Sequence, residues 1–156
     1  MPTHRNNQAQ PQDAIAMLKA DHQRVKDLFT QYEATSNPAT KRTLAQEVFM
    51  ELETHAQLEE NIFYPAVNEG TNEGPDLVKD SVQEHETVHQ LIQELQGMEQ
   101  DTDEFDVKFQ ELIQHVEHHV EEEETEMFPL AEEELSEDLD EMREEMQEMK
   151  ADMQGA

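Results

Sequence analysis

The sequence predicts an all-α protein, an up-down-up-down antiparallel four-helix bundle with an additional C-terminal helix. Two observations support this fold class. Four long segments repeat apolar residues at alternating steps of three and four, and short polar or proline-containing connections separate them. The sequence contains no alternating run of β-branched residues, which a half-buried strand would need. Its 156 residues are enough for one domain with a hydrophobic core.

The four segments follow one another with short breaks. The first covers roughly residues 12–35 and stops before Pro38, which starts the second at roughly 38–68. A loop rich in Asn, Glu and Gly leads to the third at roughly 76–98, and a polar run leads to the fourth at roughly 104–133. We therefore expect helices of similar length that lie antiparallel to their neighbours.

Residues outside these segments predict two appendages to a bundle domain at 12–133. Residues 1–11 are polar and aperiodic, which predicts a flexible N-terminal arm. Residues 134–156 carry an acidic helix with a Met-rich apolar seam, expected to fold back on the bundle or, alternatively, to dock a partner or a second copy. Pro65 and Pro129 fall late in the second and fourth helices, where each should kink or end its helix.

Composition excludes several classes of function. Ten Lys and Arg face thirty-nine Asp and Glu, and the net charge of −29 repels nucleic acids and anionic membranes. The acidity fits either a solvated, self-repelling surface or adaptation to high salt. The absence of Cys excludes disulfides, thiol catalysis and Cys-ligated zinc. No signal-like or membrane-spanning apolar run is visible, so the expected location is the cytoplasm.

Ligand-type residues occupy core-facing positions in all four segments. Three pairs have the i, i+4 spacing that puts both side chains on one helix face, and a further histidine lies on the stripe of the first helix. Buried polar groups are costly unless something satisfies them, and here a metal would do so. The predicted metal ligands are His22, His55, Glu59, His85, His89, His119 and Glu123.

The antiparallel topology places these seven residues at one depth, nearer the end where the first and third helices begin. Seven ligands are too many for one ion and suit two ions bridged by the carboxylates of Glu59 and Glu123. Imidazole and carboxylate suit iron, zinc, copper or nickel. With a further bridging oxygen, one coordination position stays open for a small molecule.

Neighbouring residues offer alternatives to this assignment. His115 and His118 compete with His119, but the parallel between the two His-x-x-x-Glu segments favours His119. Tyr64 is expected to pack at the end of the bundle, the alternative being a phenol within reach of the metals. Glu60 and Glu124 are expected to be solvated, the alternative being that they orient ligand imidazoles.

The ligand order His, His-x-x-x-Glu, His-x-x-x-His, His-x-x-x-Glu resembles that of the hemerythrin-like (HHE cation-binding) family in its bacterial form. The endings Glu-Glu-x-x-Phe-Tyr-Pro and Glu-Glu-x-x-Met-Phe-Pro are similar too, and the resemblance covers roughly residues 12–132. It implies two non-haem iron ions with an oxo or hydroxo bridge. By the same resemblance, the histidines divide between the ions as His85, His89 and His119 on one, and His22 and His55 on the other, which keeps the open position.

The resemblance implies O₂ binding for storage, delivery or sensing, with an electron donor as a possible partner and a monomeric or weakly associating chain. The alternatives are an enzyme that detoxifies peroxide or nitric oxide, and a protein that handles iron. One departure bears on this choice. Classical hemerythrins end with a His-x-x-x-x-Asp bridge, whereas this chain has Glu123 four residues after His119. Reversible oxygen carriage therefore does not transfer automatically.

Overall fold

The computed structural model describes residues 13–155, in which every regular element is helical. Two π-helical segments, Glu59–Phe63 and Glu123–Met127, continue one helix directly into the next. The all-α fold class is confirmed, and the expected arm at 1–11 lies outside the described residues. The α-helices are α1 (Ala14–Ala34), α2 (Pro38–Leu58), α3 (Tyr64–Gly70), α4 (Gly74–Gln96), α5 (Asp103–Glu122), α6 (Phe128–Glu134) and α7 (Leu139–Gly155).

Side-chain caps fix where the long helices begin. The side chains of Asp13, Asn37 and Thr102 each accept a hydrogen bond from the backbone N–H three residues later, which satisfies a donor that the first turn leaves free. Pro38 follows its cap directly, at a position where the missing N–H costs nothing. The helix starts therefore follow from local sequence.

Ion pairs between neighbouring helices show that the helices are antiparallel. Arg24 pairs with Glu51, while Asp21, one turn earlier on α1, pairs with His55, one turn later on α2. The pairs between α4 and α5 follow the same rule. The bundle therefore runs up-down-up-down, as the sequence predicts, and α7 is the additional helix.

Two apolar clusters divide the interior. The first lies around Phe29, Tyr32 and Phe109, and the second lies around Phe63 and Phe128 at the end where α1 and α4 begin. Between the clusters is a layer of buried histidines and glutamates. The bundle thus holds its most polar interior residues in one slab between two dry regions.

The π-helical segments precede the two late prolines. In each segment a backbone N–H bonds to the carbonyl five residues earlier, from Tyr64 to Glu59 and from Phe128 to Glu123. Pro65 and Pro129 follow directly, where the α-helical ladder is already interrupted, so neither ends its helix. The wider turn accommodates the missing N–H.

The C-terminal helix α7 packs against α1 and α2. Its apolar seam is buried in the second cluster at Leu139, Met142 and Met146, whereas Met153 near its end is 40% exposed. The helix therefore folds back on the bundle. Within residues 13–155, no helix combines the length and apolar character that crossing a membrane requires.

Candidate dinuclear metal centre

Six of the seven predicted ligands meet in the polar layer between the two apolar clusters. The histidines come from α1, α2, α4 and α5, and each glutamate is the first residue of a π-helical segment. All six are buried, and their side-chain nitrogen and oxygen atoms are close enough to share metal ions. They are His22, His55, Glu59, His85, His119 and Glu123.

The first half-site consists of His22 and His55 with one oxygen from each glutamate. His22 Nε2 lies 3.0 Å from Glu123 Oε1, and His55 Nε2 lies 3.1 Å from Glu59 Oε2. The two Nε2 atoms are 3.2 Å apart. Two imidazole nitrogens and two carboxylate oxygens therefore surround one point.

The second half-site consists of His85 and His119 with the remaining carboxylate oxygens. His85 Nε2 lies 3.0 Å from Glu59 Oε1, and His119 Nε2 lies 3.5 Å from Glu123 Oε2. Each glutamate thus turns one oxygen to each half-site. This is the arrangement that two bridging carboxylates need.

Tyr64 adds a fifth atom that could bind a metal ion to the second half-site. Its hydroxyl donates to Glu123 Oε2 at 2.6 Å and lies 3.0 Å from Glu59 Oε1. The same oxygen is 3.2 Å from His85 Nε2 and 3.4 Å from His119 Nε2. Tyr64 does not simply pack at the end of the bundle, as first expected, because its phenol enters the cluster.

The corresponding residue of the first half-site is Phe128. The Tyr64 ring stacks on His85 at 5.3 Å between centroids, and the Phe128 ring stacks on His22 at 5.6 Å. Both residues follow their glutamate by five positions, at the end of a π-helical segment. The two half-sites therefore differ by one phenolic oxygen.

His89 does not join the cluster, so the ligand role predicted for it does not fit its position. It lies one turn beyond His85 on α4, away from Glu59 and Glu123. Its side chain is 50% exposed, and its Nδ1 is 2.9 Å from Glu53 on α2. His115 and His118, the competitors of His119, are exposed on α5.

A carboxylate holds the outer nitrogen of every clustered imidazole. The Nδ1 of His22 donates to Glu124 at 2.7 Å, and the Nδ1 of His85 donates to Glu60 at 2.6 Å. These bonds leave Nε2 free to face the centre. The remaining pairs are His55 with Asp21 and His119 with Glu84.

These outer carboxylates were only partly foreseen. Glu60 and Glu124 do orient imidazoles, the alternative to solvated charge. Asp21 and Glu84 were missed, although each directly precedes a clustered histidine on its own helix, and this repetition is the signal that could have revealed them.

The buried carboxylates favour protonation of the imidazoles beside them. Burial works to lower the pKa of His55, but Glu59 and Asp21 outweigh it and raise that pKa to about 10. For Asp21, burial works to raise the pKa, but the hydrogen bond and charge of His55, with those of Lys150, lower it to about 2. Burial and two nearby carboxylates raise the pKa of Tyr64 well above its usual value. The negative charge of the buried carboxylates therefore favours the binding of a cation at this site.

Comparisons with known proteins identify the family. The family model described as the Hemerythrin HHE cation binding domain matches residues 13–131. The chain belongs to this family. No curated protein matches the sequence significantly.

A solved structure supports the same conclusion for the fold. It is the crystal structure of a Hemerythrin HHE cation binding domain-containing protein from Mycobacterium kansasii, 26% identical in sequence, with a TM-score of 0.79. The match covers 92% of this chain and 88% of that one. Membership of the HHE family and the buried His/Glu cluster together indicate a metal-binding protein.

Two unsatisfied oxygens show that the HHE cluster fits metal ions. Glu59 Oε2 and Glu123 Oε1 are buried and lack a hydrogen bond of good geometry, although each lies 3.0 to 3.1 Å from an imidazole Nε2 of the first half-site. A buried carboxylate oxygen without a partner is costly. A cation placed between these two oxygens and the two Nε2 atoms would coordinate all four atoms at once.

Two spaces reach the half-sites from outside the polar layer. A cavity of about 40 Å³ lies against the imidazoles and is walled by apolar residues, including Val88 and Val116. A larger groove of about 310 Å³ runs between α1 and α5 and reaches His22 beside Glu124. A small molecule can therefore approach the first half-site along the groove.

Proposed function

We propose that this HHE domain retains two iron ions, one in each half-site, bridged by Glu59 and Glu123. Four imidazoles and two carboxylates form a donor set that suits iron. All six side chains are buried, which favours a retained cofactor over iron handling. Outer carboxylates fix the imidazoles, so the chain is preorganised for the ions.

We infer that the first half-site binds the small-molecule ligand. It offers four protein donors, whereas the second half-site offers five because of Tyr64. If both ions are octahedral and share one oxygen, an open position remains only in the first half-site. The groove that reaches His22 leads to this half. The open position predicted from sequence is thus retained, with Tyr64 in place of His89.

The reaction that this geometry supports best is the disproportionation of hydrogen peroxide, and the observation that carries it is Tyr64. Bound iron would supply electrons to one peroxide and regain them from a second, which gives two waters and one O₂ with no external oxidant or reductant. The Tyr64 hydroxyl holds a proton between the two carboxylates, and bound cations would favour its release by offsetting their charge. An oxygen donor able to become an anion also favours the ferric state, as Tyr does in haem catalase.

Reversible O₂ binding is the second candidate. The His/Glu ligand set and the apolar cavity beside the imidazoles favour it. Carriage needs a stable ferrous resting state, however, and the Tyr64 oxygen opposes that state. This residue therefore reverses the order of functions expected from the sequence.

The two tyrosines of the chain provide a matched test. Tyr64→Phe should retain two irons per chain but lose a visible tyrosinate-to-ferric absorption band and at least 90% of O₂ evolution from peroxide. Tyr32→Phe is the control, because Tyr32 bonds to Asp106 in the first apolar cluster, away from the metals. Unchanged O₂ evolution in Tyr64→Phe would contradict the role of Tyr64.

A gas-exchange experiment separates the two candidates. The anaerobically reduced protein is mixed with O₂, its spectrum is recorded, and the solution is purged with inert gas. We expect irreversible oxidation with rapid peroxide turnover. Full recovery of the reduced spectrum after purging, with little peroxide turnover, would establish O₂ binding instead.

A further inference from the structure

The C-terminal helix α7 places a lysine side chain beside the candidate metal centre, although the helix lies beyond the segment matched by the family model. Lys150 Nζ is 2.8 Å from Asp21 Oδ1, and its side chain is only 18% exposed. The apolar seam of α7 fixes the helix against α1 and α2, so Lys150 is held in place. This contact joins α7 to the polar layer.

Asp21 also contacts His55 and so links it to Lys150. Its Oδ2 accepts the Nδ1–H of His55 at 3.0 Å, while its Oδ1 accepts from Lys150. Arg24 also donates to Oδ1, at 3.1 Å. A continuous chain of contacts therefore runs from the ammonium of Lys150 through a buried carboxylate to an imidazole of the first half-site.

Asp21 differs from the carboxylates that hold the other imidazoles. The Asp21 side chain is 4% exposed, whereas those of Glu60, Glu84 and Glu124 are 29% to 39% exposed. Water screens the exposed carboxylates, while Asp21 interacts with its neighbours at low dielectric. A cation beside Asp21 therefore has a larger effect on its imidazole than a cation beside the others would have.

We propose that Lys150 is a positioning residue that tunes the first half-site through Asp21. By drawing charge from the carboxylate, Lys150 weakens the pull of Asp21 on the His55 Nδ1–H, which makes the imidazole a weaker electron donor. The ion held by His55 is thereby kept easier to reduce. The inference rests on the proposed metal centre, and it makes α7 a part of that centre.

A double-mutant cycle tests this inference in the full chain. Lys150→Met removes the charge, while Arg24 still anchors Asp21. The ferric-to-ferrous equilibrium of the iron-loaded variant should shift about tenfold toward ferric, or about 59 mV for a one-electron step. Lys150→Arg should restore the wild-type value. In an Asp21→Asn background Lys150 loses its carboxylate partner, so Lys150→Met should change the equilibrium less than twofold.

Lys108→Met is the matched control, because Lys108 forms a similar pair, at 2.9 Å, with the exposed Glu94 far from the centre. A purely structural role for Lys150 would lower the melting temperature without moving the equilibrium. An unchanged equilibrium in Lys150→Met, or an equal shift in the Asp21→Asn background, would overturn the inference.

Failure of the iron proposal can be recognised separately. If the wild type does not hold two irons, the same variants are compared by Co²⁺ titration of the metal-free chain, which requires only the imidazoles and carboxylates. Removing the nearby cation should then strengthen Co²⁺ binding at one of the two sites about tenfold. Equal Co²⁺ affinities for wild type and Lys150→Met would overturn the Lys150 inference on its own.

Discussion

The two half-sites have nearly the same composition and are formed by two similar helix pairs, α1 with α2 and α4 with α5. Each pair supplies two imidazoles, one glutamate shared by both half-sites and a second glutamate that orients an imidazole. The corresponding residues are His22 and His85, His55 and His119, Glu59 and Glu123, and Glu60 and Glu124. The repeated residues are those that can hold metal ions, so a difference in reactivity between the halves would have to come from the residues that are not repeated.

The first difference is the oxygen of Tyr64. Tyr64 and Phe128 are equally buried and stack on equivalent imidazoles, so the two rings occupy matching positions. Only Tyr64 brings a donor to the centre. Under the proposed function, one half therefore gains a ligand and a proton, while the other keeps an open position for a small molecule.

The second difference lies outside the ligands. Asp21, behind His55, is buried beside Lys150, whereas Glu84, behind His119, is half-buried and 3.9 Å from the exposed His118. The first half-site, for which we propose the open position, is thus also the half in which one outer carboxylate, Asp21, is shielded from water. Shielding makes its charge effective over a longer distance.

Removing a glutamate that we propose as a bridge should reduce metal binding more than any other change, because it takes one oxygen from each half-site. Glu59→Ala is expected to reduce the iron content from two per chain to one or none, as measured by elemental analysis after anaerobic reconstitution. Glu123→Ala should do the same if the halves are equivalent in metal binding. Glu111→Ala, at an exposed position on α5, is the control. Two irons per chain in either bridge variant would disprove the bridging role.

Adding a phenolic oxygen to the first half-site should leave iron binding intact and weaken only the binding of small anions. Phe128→Tyr places a hydroxyl over His22, in the position that matches Tyr64 over His85. We expect both irons to remain and the affinity for azide, an anion that occupies open iron positions, to fall at least tenfold in a spectroscopic titration.

The exchanged variant Tyr64→Phe/Phe128→Tyr sharpens this comparison. It moves the oxygen from one half to the other, so azide binding should return because the second half-site now has the open position. Azide affinity equal to that of wild type in the single Phe128→Tyr variant would show that Phe128 does not face the open position.

The sequence predicts the bundle and six of the seven side chains that cluster in the polar layer, because both depend on regular helical spacing. The i, i+4 pairs lie on α-helical turns, and the stripes that contain His22, His55 and His119 face the core as expected. The choice of His119 among three nearby histidines came from the repeated segment. These features need only local geometry and one assumption about topology.

The sequence places Tyr64 near the metals only as the less favoured alternative, because helical spacing changes at Glu59. At 100° per residue, two positions five apart point roughly 140° away from each other. In the π-helical segment, the hydrogen bond from Tyr64 to Glu59 brings them to the same side. The buried stripe accordingly shifts from Ile62 to Phe63 and Tyr64. A π-helical turn is not visible in hydrophobic periodicity, so the pattern predicts that the tyrosine packs at the end of the bundle.

His89 shows the opposite case, since it has the predicted spacing but does not lie level with the clustered carboxylates. The i, i+4 rule puts His85 and His89 on one face of α4, but it does not say which of them lies level with the carboxylates. His85 does, with its Nε2 3.0 Å from Glu59, whereas His89 pairs with Glu53 near the surface. Depth depends on how α2 and α4 pack, which the sequence pattern does not determine.

Replacing His89 should therefore have the smallest effect on the centre. His89→Ala removes an exposed imidazole whose partner, Glu53, is also exposed, and a pair of this kind contributes about 1 kcal/mol or less to stability. We expect two irons per chain, wild-type azide affinity and an unchanged tyrosinate band. His85→Ala, one turn away, is the matched comparison and should lose iron and the band. Loss of iron in His89→Ala would mean that α4 shifts when metal binds, and that the second half-site takes its fifth protein donor from His89 instead of Tyr64.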